Sequence, residues 1–203
     1  MSEEKLYLYP MWLRLWHWTN ALLFLVLIIT GLSLQYSGVE GAFIRFDIAV
    51  TYHNIAGIIL TISFAFFLVA NRISGNRKFY KVKRKGFIKR LMKQFRYYIY
   101  GVFVGEPKPY PVSEKRKFNP LQKLSYIVVM FGFMPLIIIT GFGLLFPEIN
   151  LENVFGVAGI YLTVLLHITV GFGLSVFMIV HIYFCTFGKT VGSEFKSMFT
   201  GWH

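Results

Sequence analysis

Cysteine is almost absent from this chain of 203 residues, which contains only Cys185. A single cysteine excludes an internal disulfide, an iron–sulfur cluster held by several thiolates, and haem attached covalently through a C-x-x-C-H motif. Charged residues are scarce as well, at 15% of the chain against about a quarter in a typical soluble domain. Only nine residues are acidic, so the formal net charge is +12.

Long apolar blocks dominate instead, and 56% of the residues are hydrophobic. Four blocks reach the length of about 20 residues that a hydrocarbon core requires; they cover residues 12–34, 48–70, 121–146 and 154–187. The last block is longer than a bilayer needs, which predicts a tilted or protruding helix. The blocks are too long and too apolar for barrel strands. The sequence therefore predicts an all-α bundle of four transmembrane helices, with residues 1–203 forming one membrane domain.

The first block is expected to be retained as a helix, because its leader begins acidic and no small-x-small cleavage site follows it. Sixteen of the 21 Lys and Arg residues lie between Arg72 and Lys123, mostly in the connection 72–120. The positive-inside rule places this connection in the cytoplasm, and both termini with it. Four further basic residues agree with that topology: Lys5, Arg14, Lys189 and Lys196. The basic excess indicates topology and attraction to anionic lipid rather than nucleic-acid binding.

The basic connection contains a helical pattern, "GFIKRLMKQFRYYIYG". Its apolar residues recur at helical spacing, and they are Phe87, Leu91, Phe95 and Ile99. Basic residues fill the other faces. The pattern predicts an amphipathic helix that lies in the cytoplasmic interface between spans two and three. Further on, "KFNPLQKLSY" predicts the start of the third span, with Asn119 as the helix cap and Pro120 in the first turn. Pro135 is expected to kink that span.

Four of the five histidines fall in the apolar blocks: His17, His53, His167 and His181. Ionisable residues are rare in membrane helices and usually mark a function. His167 and His181 are separated by fourteen residues, which places them on one helix face within about 40° and about 21 Å apart along the axis. Two ligands that far apart cannot share one metal ion, but they can serve two sites stacked across a membrane.

The predicted topology pairs these histidines by depth. His17 lies at the inner level with His181, and His53 lies at the outer level with His167. Two neutral imidazoles from different helices are what a low-spin, six-coordinate haem iron needs. Zinc would need four ligands, and no Cys, Asp or Glu lies at these depths. A histidine proton relay, or histidines that only pack between helices, remain the alternatives to haem.

The chain resembles the bacterial di-haem cytochrome b family, which includes the formate dehydrogenase gamma subunit and the cytochrome b subunits of nickel–iron hydrogenase and thiosulfate reductase. The matching stretches are "RLWHW", "HNIAG", "KFNPLQKLSY" and the H-x13-H of span four. The resemblance implies two b haems with the same histidine pairing, and a quinone site near the inner haem for menaquinone or ubiquinone. Asn119 matches the quinone-binding asparagine of the family. Leu121 replaces a family glycine there, and it would contribute through its backbone N–H.

Three arginines are candidate partners for haem propionates: Arg14 and Arg72 on the inner side, and Arg45 on the outer side. The alternative for each is a side chain that extends to the membrane interface.

We interpret the chain as a membrane electron-transfer subunit of a respiratory oxidoreductase complex in the bacterial inner membrane. Electrons would pass through two b haems between quinone on the cytoplasmic side and a periplasmic-side redox subunit. That partner would be an iron–sulfur protein, a hydrogenase-like enzyme or a multihaem cytochrome, and substrate catalysis is expected there. Two alternatives remain: a histidine-relay proton channel or small transporter, and a non-redox membrane anchor for a periplasmic enzyme.

Overall fold

The computed structural model describes residues 6–38, 44–114, 116–188 and 190–203. Lys5 and Lys189, two of the basic residues that agree with the predicted topology, lie outside the described residues. The described residues form seven α-helices: α1 (Met11–Gln35), α2 (Phe46–Ile73), α3 (Phe87–Arg96), α4 (Pro120–Val128), α5 (Met134–Leu145), α6 (Gly159–Cys185) and α7 (Ser193–Thr200).

Four helical stretches in the described part of the chain are long and apolar enough to cross a membrane. They are Met11–Gln35, Phe46–Ile73, Pro120–Leu145 and Gly159–Cys185. The predicted helical membrane bundle is confirmed.

The fourth spanning helix begins at Gly159, later than the apolar block that starts at residue 154. Val154 and Val157 bond each other's backbone at 2.8 and 3.1 Å, which closes a tight turn before the helix. The backbone of Gly159 lies very close to that of Leu151, since a Cβ at residue 159 would lie 2.1 Å from the Leu151 carbonyl oxygen. The extra length of the block is therefore a loop.

The third span is interrupted near its middle by a wider, π-helical turn, Val129–Phe133. Pro135 lies two residues after this turn and has no N–H to donate to the preceding turn, so the interruption lies beside the proline at which a kink is expected. At the start of the span, Asn119 Oδ1 accepts from the Gln122 N–H at 2.9 Å, and Gln122 Oε1 accepts from the Asn119 N–H at 3.1 Å. The predicted cap is confirmed, with Pro120 as the first helical residue.

α3 forms where the amphipathic pattern predicts a helix, and a π-helical turn, Tyr97–Gly101, continues it. Its exposed apolar stripe differs from the predicted face and consists of Ile88, Met92, Phe95 and Ile99. Phe87 and Leu91 are only half-buried, while Gln94 and Tyr97 are buried against the bundle. Tertiary packing thus buries a polar amide that the apolar spacing could not reveal.

The spans pack as two helical hairpins, α1 with α2 and α5 with α6. An apolar cluster between the hairpins joins them, with members from both: Leu23, Ala56, Leu60, Phe64, Val129, Met134, Val170 and Leu174. This cluster lies between the inner and outer histidines along α6, because Val170 and Leu174 fall between His167 and His181 in the chain.

The two terminal segments meet at one end of the bundle. Leu6 and His203 exchange backbone hydrogen bonds at 3.0 and 2.9 Å. The Lys117 ammonium lies 4.5 Å from the centre of the Tyr9 ring, which brings the basic connection to the same end. α7 lies there as well, since Phe199 stacks on Trp18 of α1 with ring centres 4.4 Å apart.

Candidate functional site

The structure brings the four intramembrane histidines together as two opposed pairs. The ring centres of His17 and His181 are 6.1 Å apart, with the ring planes inclined at 60°. Those of His53 and His167 are 6.2 Å apart, at 66°. One partner of each pair comes from α6, and the other comes from α1 or α2. The pairing predicted from depth is the pairing found in space.

These separations fit one metal ion held between two imidazoles. Metal–nitrogen bonds of about 2 Å, added to a distance of about 1.1 Å from each nitrogen to its ring centre, separate the ring centres by about 6 Å. Among the described residues, no group of three or more His, Cys, Asp or Glu could hold a metal ion alone. Two imidazole nitrogens per site would suffice to hold a haem iron, because the porphyrin would bring the remaining donors.

Threonine hydroxyls contact the outer pair. Thr30 Oγ1 lies 2.9 Å from His53 Nδ1, and Thr140 Oγ1 lies 3.0 Å from His167 Nδ1. Each imidazole Cε1 also lies near a helix glycine: a Cβ at Gly31 would lie 3.4 Å from that of His53. A Cβ at Gly141, the residue after Thr140, would lie 3.5 Å from Cε1 of His167.

Aromatic side chains surround the inner pair. Phe177 stacks on His181 with ring centres 5.8 Å apart, and Tyr126 lies edge-on to the same imidazole at 6.0 Å. Trp18 lies edge-on to His17 at 5.3 Å. His17 Nδ1 is buried and has no hydrogen-bond partner among the described residues. The inner and outer pairs therefore have different polar surroundings.

A comparison with protein families decides what kind of protein carries these pairs. The family model described as prokaryotic cytochrome b561 matches residues 8–201. The chain belongs to the prokaryotic cytochrome b561 family. A relative from Escherichia coli (strain K12), named "Putative cytochrome YdhU", is 37% identical over 200 residues, which is 98% of this chain and 75% of the relative. The resemblance to bacterial b cytochromes is confirmed.

Membership assigns this cytochrome b561 a b-type haem and a role in membrane electron transfer. Its spanning helices make it a multi-pass membrane protein.

The predicted quinone residues of the cytochrome b561 lie where α3 and α4 meet. Asn119 uses both ends of its amide: the oxygen caps α4, and Nδ2 donates to the Tyr98 hydroxyl at 2.7 Å. Leu121 is half-buried in the first turn of α4. Tyr98 and Gln94 were missed by the sequence analysis. Gln94 is 3% exposed, and its Oε1 has no hydrogen-bond partner in the described part of the chain.

The three candidate propionate arginines lie in different places. Arg14 donates to the Phe199 carbonyl of α7, while its Nε is buried and unpaired among the described residues. Arg45 forms an exposed ion pair with Asp47 at 2.9 Å, and Arg72 is exposed at the end of α2. The propionate hypothesis stays a prediction for all three arginines.

Thr30 and Thr140 were likewise not predicted from the sequence, although a signal exists. Each is the centre of an Ile-Thr-Gly triplet near the end of a span that precedes a histidine-bearing span. A threonine in an apolar helix commonly bonds its own backbone, so one triplet alone indicates little. The repetition of the triplet in spans one and three is the informative feature.

Proposed function

We propose that this cytochrome b561 is the electron-transfer subunit of a respiratory oxidoreductase complex in the bacterial inner membrane. It carries electrons between a periplasmic-side redox subunit and the quinone pool on the cytoplasmic side. The observation that carries the proposal is the presence of two opposed imidazole pairs along α6, with ring centres 6.1 and 6.2 Å apart.

His17 and His181 hold a haem at the inner level in this proposal, and His53 and His167 hold one at the outer level. When bound, each haem supplies reversible one-electron chemistry. The helices fix the separation of the imidazoles, and the apolar cluster between the hairpins excludes water from the space between the two levels.

The proposed orientation of the protein in the membrane is based on the distribution of its charged residues. The described terminal segments and the basic connection meet at one end of the bundle, as the contact between Tyr9 and Lys117 illustrates. Sixteen Lys and Arg residues belong to the stretch Arg72 to Lys123. The positive-inside rule then assigns this end, with the termini, to the cytoplasm.

A quinone site at the junction of α3 and α4 completes the proposal. Asn119 positions the Tyr98 hydroxyl, whose own hydrogen can be donated to a quinone carbonyl oxygen. Burial raises the pKa of Tyr98 above its ordinary value, so this phenol keeps its proton at neutral pH. The buried Gln94 Oε1 offers an acceptor for a quinol hydroxyl. Reduction of one quinone takes two electrons and two protons, and protons taken from the cytoplasm make the transfer electrogenic. Menaquinone and ubiquinone both have this chemistry.

The periplasmic-side partner is an iron–sulfur protein, a hydrogenase-like enzyme or a multihaem cytochrome in this proposal. We assign conversion of the primary substrate to that partner, because the sequence contains no catalytic constellation for it.

Haem quantification tests the proposal. We expect two non-covalent b haems per purified chain. His17→Ala or His181→Ala should each remove one haem, and His53→Ala or His167→Ala should each remove the other. His203→Ala, a histidine outside both pairs, should retain both. A colourless chain would favour a proton relay and overturn the proposal. Quinone-linked turnover of the whole complex that survives His181→Ala would instead indicate a non-redox anchor.

A further inference from the structure

The two threonines at the outer level define the proton positions on their histidines. A threonine hydroxyl has one hydrogen. Thr30 donates that hydrogen to the backbone carbonyl four residues earlier at 2.7 Å, and Thr140 does the same at 2.7 Å. Each hydroxyl oxygen therefore faces a histidine Nδ1 as an acceptor, so Nδ1 carries the proton in both His53 and His167. The lone pair on Nε2 is then free to bind a metal ion.

We propose that Thr30 and Thr140 hold His53 and His167 in the tautomer that presents Nε2 to iron, and thereby set the potential of the outer haem below that of the inner haem. The proposal rests on the haem ligation proposed above. An imidazole that donates from its second nitrogen is a more basic ligand. A more basic axial ligand stabilises ferric iron relative to ferrous iron, which lowers the reduction potential.

The inner pair has no equivalent arrangement among the described residues. His17 Nδ1 is buried without a hydrogen-bond partner there. In the described part of the chain, the polar contact of the His181 side chain is Cys185 Sγ, 3.9 Å from Nε2. This contact lies at the nitrogen that would bind iron, so it is not equivalent to the threonine contacts at Nδ1. With the outer haem at the lower potential, electrons move favourably from the outer level to the inner one. This order suits the reduction of quinone on the cytoplasmic side.

The repetition of the arrangement argues against simple backbone bonding by the two hydroxyls. Thr61 of α2 and Thr169 of α6 also donate to the carbonyl four residues earlier, at 2.9 and 2.7 Å, but neither hydroxyl contacts a histidine among the described residues. Thr30 and Thr140 differ from them because both are buried, at 3% and 5% exposed, and both face an imidazole. The arrangement occurs once in each hairpin.

Redox titration of valine and serine variants tests the proposal. Valine preserves the shape of threonine and removes the hydroxyl, whereas serine keeps the hydroxyl. In Thr30→Val and Thr140→Val, we expect the midpoint potential of the outer haem to rise while that of the inner haem stays unchanged. The expected size is about a tenfold change in the ratio of oxidised to reduced haem at fixed ambient potential, or about 59 mV. The electron paramagnetic resonance signal of the outer ferric haem should shift as well.

Four further variants complete the test. Thr30→Ser and Thr140→Ser should keep the wild-type potential, and Thr61→Val should keep it because its hydroxyl bonds only the backbone of its own helix. His17→Ala leaves the outer haem alone in the chain, which identifies its potential. If that remaining haem is the one of higher potential, the proposed order is wrong.

Each outcome decides one of the two proposals. In one outcome, the valine variants bind two haems whose potentials and resonance signals equal those of the wild type. That result would overturn the role of the threonines, but it would leave the proposed function standing. A wild-type chain with fewer than two haems overturns the proposed function itself. If a valine variant loses the outer haem, the matching serine variant tests the role of the hydroxyl. Retention of the outer haem in the serine variant supports that role, and its loss contradicts it.

Discussion

Lys117 is a buried cation outside the spans. It is 2% exposed, and its ammonium lies near the rings of Tyr9, Phe79 and Phe118, 4.5 to 5.7 Å from their centres. Nζ has no hydrogen-bond partner among the residues that the structure describes. Burial lowers the pKa of Lys117 from 10.5 to about 8. Between these two values the unfolded chain binds the proton more tightly, so stability rises with pH over this window.

Lys117→Met should stabilise the protein at pH 7. Methionine keeps the length of the side chain and removes the cost of burying a charge. The pKa difference corresponds to about 3 kcal/mol, and lost cation–π contacts offset part of this, so we expect a gain of about 1–2 kcal/mol. Thermal unfolding of the detergent-solubilised protein at pH 7 and pH 9.5 measures the effect. The wild type should approach the stability of the variant at the higher pH.

The exposed Lys196 provides the control, because Lys196→Met removes a charge that is not buried and should leave the stability unchanged. Equal pH dependence in the wild type and Lys117→Met would contradict the assignment of the titration to Lys117.

Single residues differ in how well the sequence predicts them. The depth pairing of His17 with His181 follows from the helical rise and the charge bias alone, both of which are local or additive properties. The contacts of Thr30 and Thr140 depend on how a neighbouring helix is rotated. That rotation is set by packing between spans, so the sequence indicates it only through the repeated triplet.

At the scale of elements, the junction of α3 and α4 links the interfacial helix to the third span. Tyr98 connects them, because its hydroxyl accepts from Asn119 and its ring lies 4.5 Å from that of Phe184 on α6. A change at this junction should alter quinone binding without altering either histidine pair.

Tyr98→Phe tests this expectation. Loss of one hydrogen bond costs about 0.5–1.5 kcal/mol, so the KM for a water-soluble quinol analogue should rise about 3- to 10-fold. Haem reduction by the quinol in stopped flow measures it, with both haems retained. Tyr100→Phe is the matched control, since Tyr100 lies on the same turn and is 55% exposed. An unchanged KM in Tyr98→Phe would indicate that quinone binds elsewhere.

The elements themselves were predictable where one physical property decides them. Apolar length predicts the spans, and the Asn119–Pro120 pair predicts the start of α4. The exposed apolar stripe of α3 was predicted only in part. Phe95 and Ile99 are exposed as expected. Ile88 and Met92 take the places of Phe87 and Leu91 in the stripe, because Gln94 turns toward the bundle. The late start of α6 also escaped prediction, since apolar residues in the turn before Gly159 look like helix in composition.

At the scale of the whole molecule, each histidine pair connects the two hairpins. His17 and His53 belong to the first hairpin, whereas His167 and His181 belong to the second. The apolar cluster joins the hairpins between these two levels. A haem bound at each level would therefore add a connection on either side of the apolar cluster.

Protein produced without haem should unfold more easily than the loaded protein. Ligand binding to the folded state alone stabilises it by about 4 kcal/mol at a thousand times the Kd. We expect a higher temperature of unfolding and slower proteolysis after haem is restored, and His53→Ala should show part of the loss. His203→Ala should match the wild type. Equal stability with and without haem would show that the apolar cluster alone holds the hairpins together.

The fourteen-residue spacing on α6 also has an electrical consequence. It separates the two levels by about 21 Å of a hydrocarbon core about 30 Å thick. Under the proposed function, an electron that moves inward between them would cross about two-thirds of the transmembrane voltage, which would oppose it by about 1.6 kcal/mol per 100 mV when the cytoplasm is negative. A strongly energised membrane would then slow inward transfer and depolarisation would accelerate it, so the voltage that respiration generates would limit respiration itself.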